Sequence, residues 1–382
     1  MDSKRIGGGR MNIGVDAGCL SIRDERLKLG VYQTTLNLLR QLGKIDKQDE
    51  YWLYSFAPIE KKLLSQFGPR MKNVIAKPIF GWRHFGLPLN LLVKKPDVFL
   101  GPSQALPLIL FCPSIVIVHD LTYEHFPESF PDLGRHLRRI TRPAVNKAKK
   151  IIAVSNSTKK DLVKIYQVLS EKIRVIPEGY DPIFKVQDKK VIEAIKKKYQ
   201  LKKDYFLYVG ALKKTKNIPR IIAAFAEFLK KSKKDFLLVL VGSDFWLDKE
   251  IKKTVKAFSL EERVVFPGYV PFGDLPGLYS GAQTLVSVSL YEGFGLTLVE
   301  AMACGCPVIA GETASRNEVV GSAGILVNPR SEKKIARAMG RVVDNRSLRQ
   351  KMINAGLKQS KLFSWEKFAQ GVLEVINENC HC

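Results

Sequence analysis

Short apolar runs alternate with longer amphipathic stretches along most of the chain. In the first half, these runs predict strands at residues 12–18, 51–56, 97–101, 114–120 and 149–155. Amphipathic stretches at 31–44 and 157–167 predict helices, and the second opens on Ser157, a residue type that caps helices well. Strands that alternate with helices are typical of βα units joined into a parallel sheet.

A second series of strand candidates begins near Tyr205. Its members lie at residues 205–210, 235–242, 263–270, 283–289 and 306–311. Between the two series, residues 177–190 are rich in proline, glycine and charge, as linkers are. The pattern predicts an α/β protein of two Rossmann-like domains, at residues 1–183 and 184–363. A last helix, 364–379, belongs to a segment, 364–382, that could pack back on the first domain.

One apolar stretch, residues 98–118, is uncharged and long enough to cross a membrane. Pro102, Pro107 and Pro113 interrupt any helix there, because proline breaks helical hydrogen bonding. We therefore expect a strand, a loop and a second strand in this stretch.

Composition narrows the protein class. The chain has 382 residues, of which 46% are hydrophobic and 26% charged, a balance that excludes wholesale disorder. Sixty-two basic and 37 acidic residues give a net charge of +25, which attracts phosphates, nucleic acid or an anionic bilayer. Six cysteines are too few for a disulfide framework, and the polar opening lacks an apolar leader. We therefore expect a cytoplasmic protein.

The segment richest in candidate chemistry runs from Ser287 to Gly311. A strand ends there, a loop containing Gly293 and Gly295 follows, and a helix begins near Leu296. Amides at a helix N-terminus, with no Cβ atoms in the way, suit a phosphate or sugar hydroxyls.

Two glutamates bracket this loop. Glu292 lies in the loop and Glu300 on the helix, a spacing that allows two roles on one ligand. For Glu300 the alternative is an ordinary helix glutamate. No G-x-G-x-x-G motif follows the first strand, so hydride transfer with a dinucleotide is disfavoured.

This segment resembles closely the E-x7-E signature of the retaining glycosyltransferases of family 4. The resemblance covers nearly the whole chain, since further similar segments occur in the right order at 11–18, 116–131, 152–163, 208–225, 266–282 and 323–329. It implies the GT-B fold, in which two Rossmann-like domains have parallel sheets that face each other across a cleft.

The resemblance also implies roles for residues of the second domain. Glu300 would hold the ribose hydroxyls of a nucleotide sugar, and Glu292 would be catalytic and face the donor sugar. The remaining donor-binding positions are Gly210 after a strand, Lys216 at the diphosphate, Val270 at the base, and the backbone amides of Phe294, Gly295, Leu296 and Thr297.

In the first domain the resemblance implies two further positions. His119, in a His-Asp pair at the end of a strand, would be catalytic beside the donor sugar, although from the residues alone a structural histidine is the commoner case. Gly30, which lacks a side chain, would let the backbone approach the diphosphate. Only this glycine of the family's Gly-x-Gly is kept, since Lys28 occupies the other position.

The implied reaction needs no metal ion and no cofactor. Departure of the diphosphate leaves negative charge, which Lys216, Gly30 and the helix N-terminus are placed to stabilise. We interpret Cys304 and Cys306 as buried thiols and the terminal cysteines, Cys380 and Cys382, as part of a frayed tail.

Departures from the family pattern at Ala211, Thr215 and Lys28 motivate a different hypothesis. Where the family often has an arginine beside the diphosphate, this chain has Ala211 and Thr215. A degenerate binding or scaffold subunit without transfer activity is therefore the alternative class.

Basic residues also concentrate in one region. Residues 133–150 contain no acidic side chain, and Lys61, Lys62, Arg70 and Lys72 add charge to the same half. The stretch is either a solvated helix face or a docking surface for an anionic membrane on its inner face. The +25 charge alone also suits a nucleic-acid binder, but without a stacking module or zinc finger in the sequence we expect no nucleic acid as a partner.

Together these observations predict a metal-independent transferase that moves a hexose from a nucleotide sugar to a hydroxyl of a glycan or lipid-linked glycan. Segments 119–131 and 291–309 are similar to bacterial mannosyltransferases of polysaccharide assembly, so GDP-mannose is the first choice of donor. A UDP-hexose is the alternative.

Overall fold

The computed structural model describes residues 9–24, 28, 30–77, 82–232, 235–243 and 249–379. The chain divides into two compact units, Met1–Gly179 with Ser364–Cys382, and Tyr180–Phe363. The sequence pattern had set the boundary between residues 183 and 184, a few residues later.

Unit 1 has a parallel sheet with, among the described residues, seven strands in the order β3-β2-β1-β4-β5-β6-β7. These are β1 Asn12–Asp16, β2 Glu50–Ser55, β3 Met71–Ile75, β4 Val98–Gly101, β5 Ser114–Val118, β6 Lys150–Ala153 and β7 Ile173–Val175. The interior strand β5 is buried along its whole length, which explains its unbroken apolar run. The stretch 98–118 thus forms strand, loop and strand as predicted, and no described helix is long and apolar enough to cross a membrane.

The helices of unit 1 are α1 Gly30–Ile45, α2 Lys61–Leu64, α3 Leu87–Val93, α4 Thr122–His125, α5 Pro131–Lys147 and α6 Asn156–Tyr166. The predicted cap of α6 at Ser157 is wrong. Ser155 caps this helix instead, because its side chain accepts a hydrogen bond of 3.0 Å from the amide of Thr158.

The C-terminal helix of the chain returns to unit 1 and contacts α1. We number it α15, Trp365–Asn379, after the helices of unit 2. A Cβ atom at Gly179 would lie 2.0 Å from the backbone nitrogen of Trp365. The packing of α15 against unit 1 therefore requires a glycine at residue 179, where the first segment of unit 1 ends.

Unit 2 has a second parallel sheet with, in the part of the chain that is described, six strands in the order β10-β9-β8-β11-β12-β13. These are β8 Asp204–Val209, β9 Phe236–Val241, β10 Val264–Gly268, β11 Thr284–Ser287, β12 Val308–Gly311 and β13 Ile325–Val327. Its helices are α7 Lys189–Lys198, α8 Ile218–Leu229, α9 Lys249–Ala257, α10 Leu275–Gly281, α11 Leu296–Ala303, α12 Ala314–Val320, α13 Glu332–Asp344 and α14 Arg346–Ser360.

The two parallel sheets confirm the predicted α/β class of two Rossmann-like halves. In a parallel sheet all strands end at the same edge, so loops that follow different strands are brought together there. In unit 2, the loops after β8, β10 and β11 carry the candidate donor-binding residues.

Candidate functional site

Lys216 and Glu292 form an ion pair in unit 2. The Nζ atom of Lys216 lies 2.7 Å from Oε1 and 2.8 Å from Oε2 of Glu292. Lys216 ends a short helical turn after β8, and Glu292 lies in the loop after β11. These two strands are neighbours in the sheet, which explains why residues 76 positions apart meet.

The turn that carries the lysine is fixed to its surroundings by backbone contacts. Asn217 adopts a left-handed conformation (φ 59°), and its Nδ2 donates to the carbonyl oxygens of Val288, at 3.1 Å, and Pro329, at 2.6 Å. The carbonyl of the buried Thr215 accepts from the amide of Leu290 at 3.1 Å. This contact uses the backbone of Thr215, so it fixes the turn and does not depend on which side chain stands at this position.

A second cation, Arg316 of α12, lies beside the same carboxylate. Its side chain is buried, with Nη2 3.5 Å from Oε1 of Glu292 and 2.9 Å from Oγ of Ser287. Burial alone would raise the pKa of Glu292, but the charges of Lys216 and Arg316 outweigh burial and hold that pKa below its ordinary value. Arg316 was not predicted from the sequence, because one arginine within a helix carries no periodic signal.

The N-terminus of α11 follows Glu292 directly. Gly295 caps the helix with φ 116°, a conformation that strains any residue with a Cβ atom. The first amides of a helix, here at Leu296 and Thr297, have no partner within the helix and face outward from its end. Phe294 is buried and packs edge-on against Phe363, which holds the loop in place.

Glu300 lies farther along α11 and has a different environment from Glu292. Its Oε2 accepts a hydrogen bond of 3.0 Å from the hydroxyl of Tyr279. Burial, assisted by the charge of Asp181, raises the pKa of Glu300 to about 7, against the effect of the tyrosine. Near neutral pH this carboxyl is therefore poised between its neutral and charged forms.

The two other predicted positions of unit 2 lie at the same edge of the sheet. Gly210 follows β8 with φ 148°, and a Cβ atom there would lie 2.9 Å from Oη of Tyr208. Val270 follows β10 and is buried. Gly210 and Val270 thus lie in segments that follow strands of the same parallel sheet as Lys216 and Glu292.

In unit 1, His119 follows β5 and both of its ring nitrogens face acceptors. Nε2 lies 2.8 Å from the carbonyl oxygen of Pro102, and Nδ1 lies 3.0 Å from Oε1 of Glu178. Burial alone would lower the pKa of His119, but Glu178, the Pro102 carbonyl and the charge of Asp120 outweigh it and raise that pKa. Glu178, in a loop without periodic pattern, was missed by the sequence analysis.

Gly30 is the first residue of α1, and a Cβ atom there would meet nothing within 4 Å. The fold of unit 1 therefore does not itself require a glycine at this position. Its carbonyl oxygen lies 3.0 Å from Oγ1 of Thr34, which is in turn 2.7 Å from Oε1 of Glu178. Gly30 and His119 are thus linked through one buried carboxylate.

Cys304 and Cys306 are free, buried thiols, as predicted. The predicted tail cysteines, Cys380 and Cys382, lie outside the described residues. Within the described ranges, no three histidine, cysteine, aspartate or glutamate side chains are grouped so as to hold a metal ion.

The sequence matches two protein families in succession. Residues 33–184 match the family described as Glycosyltransferase Family 4, and residues 191–359 match Glycosyl transferases group 1. The chain is 30% identical to O-antigen chain mannosyltransferase B of Escherichia coli over 71% of its own length and 72% of that protein. It is 31% identical to O-antigen chain mannosyltransferase RfbU of Salmonella typhimurium over 65% of its own length and 66% of that protein.

The chain belongs to the GT-B glycosyltransferases. The solved structure of HepE from Anabaena, in complex with UDP and glucose, has a similar fold to this glycosyltransferase. The TM-score is 0.73 at 21% identity, and the match covers 96% of this chain and 99% of HepE. The predicted GT-B fold and glycosyltransferase activity are confirmed.

The raised pKa of Glu300 predicts how the stability of the ligand-free enzyme depends on pH. The folded-state pKa of about 7 exceeds the ordinary 4.5, so wild-type stability falls as pH rises through that interval. Glu300→Gln has no carboxyl to ionise and avoids this loss. Relative to wild type, its free energy of unfolding should therefore rise by roughly 2–3 kcal/mol between about pH 5 and about pH 8.

Urea unfolding of both proteins across this interval measures the difference. Glu193→Gln, at an exposed position of α7, is the matched control and should show no such trend. A pH-independent difference for Glu300→Gln would contradict the environment described for this carboxyl.

Proposed function

We propose that this glycosyltransferase moves a hexose, with retention of anomeric configuration, from a nucleotide sugar to a hydroxyl of a glycan or lipid-linked glycan. The observation that carries the proposal is the Lys216–Glu292 pair beside the N-terminus of α11. Mannose from GDP-mannose is the first choice of donor, in line with the names of the two mannosyltransferase relatives. A UDP-hexose is the alternative, and HepE was solved with UDP and glucose.

The charges of unit 2 suit the departure of a nucleoside diphosphate. Negative charge develops on the diphosphate as its anomeric bond breaks, and Lys216 and the free amides of α11 are positioned to stabilise it. These groups supply positive charge without a metal ion. Glu292, held ionised, would stabilise the positive character that develops on the sugar.

Arg316 would keep Glu292 paired with a cation during this reaction. If the diphosphate attracts Lys216, the partly buried Glu292 loses its closest cation, and an unpaired carboxylate that is largely shielded from water is costly. Arg316 remains beside Oε1 of Glu292, and its own contacts with Ser287 fix it there. The carboxylate would therefore stay charged while the donor is bound.

An apolar patch on unit 1 supports a lipid-linked acceptor at a membrane surface. It combines the region of α3 with the loop before β5, which are joined by a hydrogen bond of 3.1 Å from the Leu108 amide to the Arg83 carbonyl. Its exposed members are Phe85, Leu89, Leu92, Val93, Leu108, Ile109 and Phe111, with Val93 85% exposed and both Leu108 and Phe111 61% exposed. Clusters of exposed apolar side chains that form a contiguous surface mark interaction sites.

Positive charge adjoins this patch. Lys147, at the end of α5, donates to the carbonyl of Leu108 at 2.9 Å, so the basic helix meets the apolar loop. Arg139 and Arg142 on the same helix are exposed. Apolar groups flanked by basic ones match an anionic lipid surface, and we propose that the enzyme binds the inner face of the cytoplasmic membrane in this way.

Two substitutions test the proposed chemistry. Glu292→Gln removes the charge beside the sugar and His119→Ala removes the ring, so we expect each to lower the transfer rate by at least about 100-fold. The assay measures transfer of the sugar from GDP-mannose or a UDP-hexose to a polyprenyl-linked glycan acceptor. Thermal unfolding shows whether each variant stays folded, and Glu193→Gln is the control. Wild-type rates in both variants would contradict the site.

Sedimentation with lipid vesicles tests the proposed membrane surface. Each basic residue near an anionic surface contributes about 1 kcal/mol, so Arg139→Gln with Arg142→Gln should weaken binding to phosphatidylglycerol vesicles by roughly 30-fold. Lys252→Gln with Lys253→Gln, on exposed positions of α9, removes the same charge elsewhere. Equal losses in the two double variants would exclude a specific role for α5.

A further inference from the structure

Unit 1 contains a buried carboxylate, Glu178, which the sequence patterns did not single out. It follows β7, and only 4% of its surface is exposed. Its Oε1 lies 2.7 Å from Oγ1 of Thr34 and 3.0 Å from Nδ1 of His119. A carboxylate taken out of water needs charged or hydrogen-bonding partners, and here these come from α1 and from the end of β5.

The two contacts of the His119 ring determine where its protons are. A backbone carbonyl can only accept, so Nε2 must carry a hydrogen toward Pro102, 2.8 Å away. In a neutral ring with that hydrogen, Nδ1 has a lone pair, which would face the Glu178 carboxylate. A proton on Nδ1 removes this repulsion and makes a charge-assisted hydrogen bond.

The charged groups around the ring favour the same state. Glu178 approaches from the loop after β7, and Asp120 follows the histidine in the chain. Both are acidic, while the groups that Pro102 and Thr34 present are a carbonyl and a hydroxyl. Burial opposes the charged ring, but these neighbours outweigh it.

We propose that Glu178 is a positioning residue that holds His119 as a fixed imidazolium, so that His119 acts as an oriented positive charge and not as a proton carrier. With both nitrogens donating hydrogen bonds, the ring has no lone pair left to accept a proton from an acceptor hydroxyl. The 14% of the His119 side chain that is exposed is the part a ligand can touch. The role of this charge at the donor rests on the proposed function. The protonation state of the His119 ring does not.

Thr34 extends the same restraint to the start of α1. Its hydroxyl lies between Glu178 and the carbonyl of Gly30, at 2.7 Å and 3.0 Å. Displacement of the carboxylate would therefore disturb both positions of unit 1 that are expected to approach the donor.

Histidine resonances measured by NMR across a pH titration test the proposal without any substrate. The chain has five histidines, and the resonance lost in His119→Gln assigns the one of interest. We expect wild-type His119 to keep both ring hydrogens well above the ordinary midpoint of about 6.5. A wild-type His119 that titrates at or below that midpoint overturns the proposal, whatever the variants do.

Glu178→Gln removes the charge with little change of shape, and we expect the His119 midpoint to fall by about one to three pH units. Thr34→Val is the matched control, since it removes a buried hydrogen bond of the same network and leaves the charges in place. In Thr34→Val the titration midpoint of His119 should shift by less than half as much as in Glu178→Gln. Equal shifts in the two variants, or none in Glu178→Gln, overturn the proposal.

Kinetics then separate this inference from the proposed function. The alkaline limit of the transfer rate should move to lower pH in Glu178→Gln by the shift seen in the NMR titration. Absence of transfer in the wild type would refute the proposed function and leave the titration result standing. A Glu178→Gln enzyme with a lowered His119 midpoint and an unchanged rate profile would instead overturn the role of the charged ring.

Discussion

A carboxylate shielded from water needs a positively charged partner or becomes protonated. This constraint determines the charge states of the carboxylates at the candidate sites of both units. Glu292 has two cations, Lys216 and Arg316, and its pKa is lowered. Glu178 has a histidine that can take a proton. Among the described residues, Glu300 has a tyrosine hydroxyl and no cation as its partner, and its pKa rises to about 7. The chemistry of each carboxylate follows from the charges that the fold places beside it.

Parallel sheet topology makes these pairings possible. Because β8 and β11 are neighbours that run in the same direction, the turn with Lys216 and the loop with Glu292 must end side by side. The α11 N-terminus then adds uncommitted amides next to the pair. A site built in this way holds positive charge ready for an anionic leaving group, while the resident Arg316 keeps Glu292 from being stranded.

Much of the fold could be predicted from the sequence, because buried parallel strands read as apolar runs. The strands β3, β7 and β13 were not predicted, since β3 mixes polar and apolar residues and the other two are only three residues long. In the site, Glu292 and Lys216 follow from a family resemblance. Arg316 and Glu178 could not be found, because their roles come from contacts across 24 and up to 144 positions of chain, which no local pattern records.

Thermal unfolding in the presence of ligands tests whether unit 2 binds a nucleotide sugar through its diphosphate. Of the nucleoside diphosphates GDP, UDP, ADP and CDP, we expect one, with GDP the first choice, to stabilise the protein by about 2.7 kcal/mol at 100 times its dissociation constant. The effect should be lost in Lys216→Met. If no nucleotide or nucleotide sugar raises the thermal stability of the folded wild type, donor binding by unit 2 is contradicted. A scaffold subunit without transfer activity is then the better description.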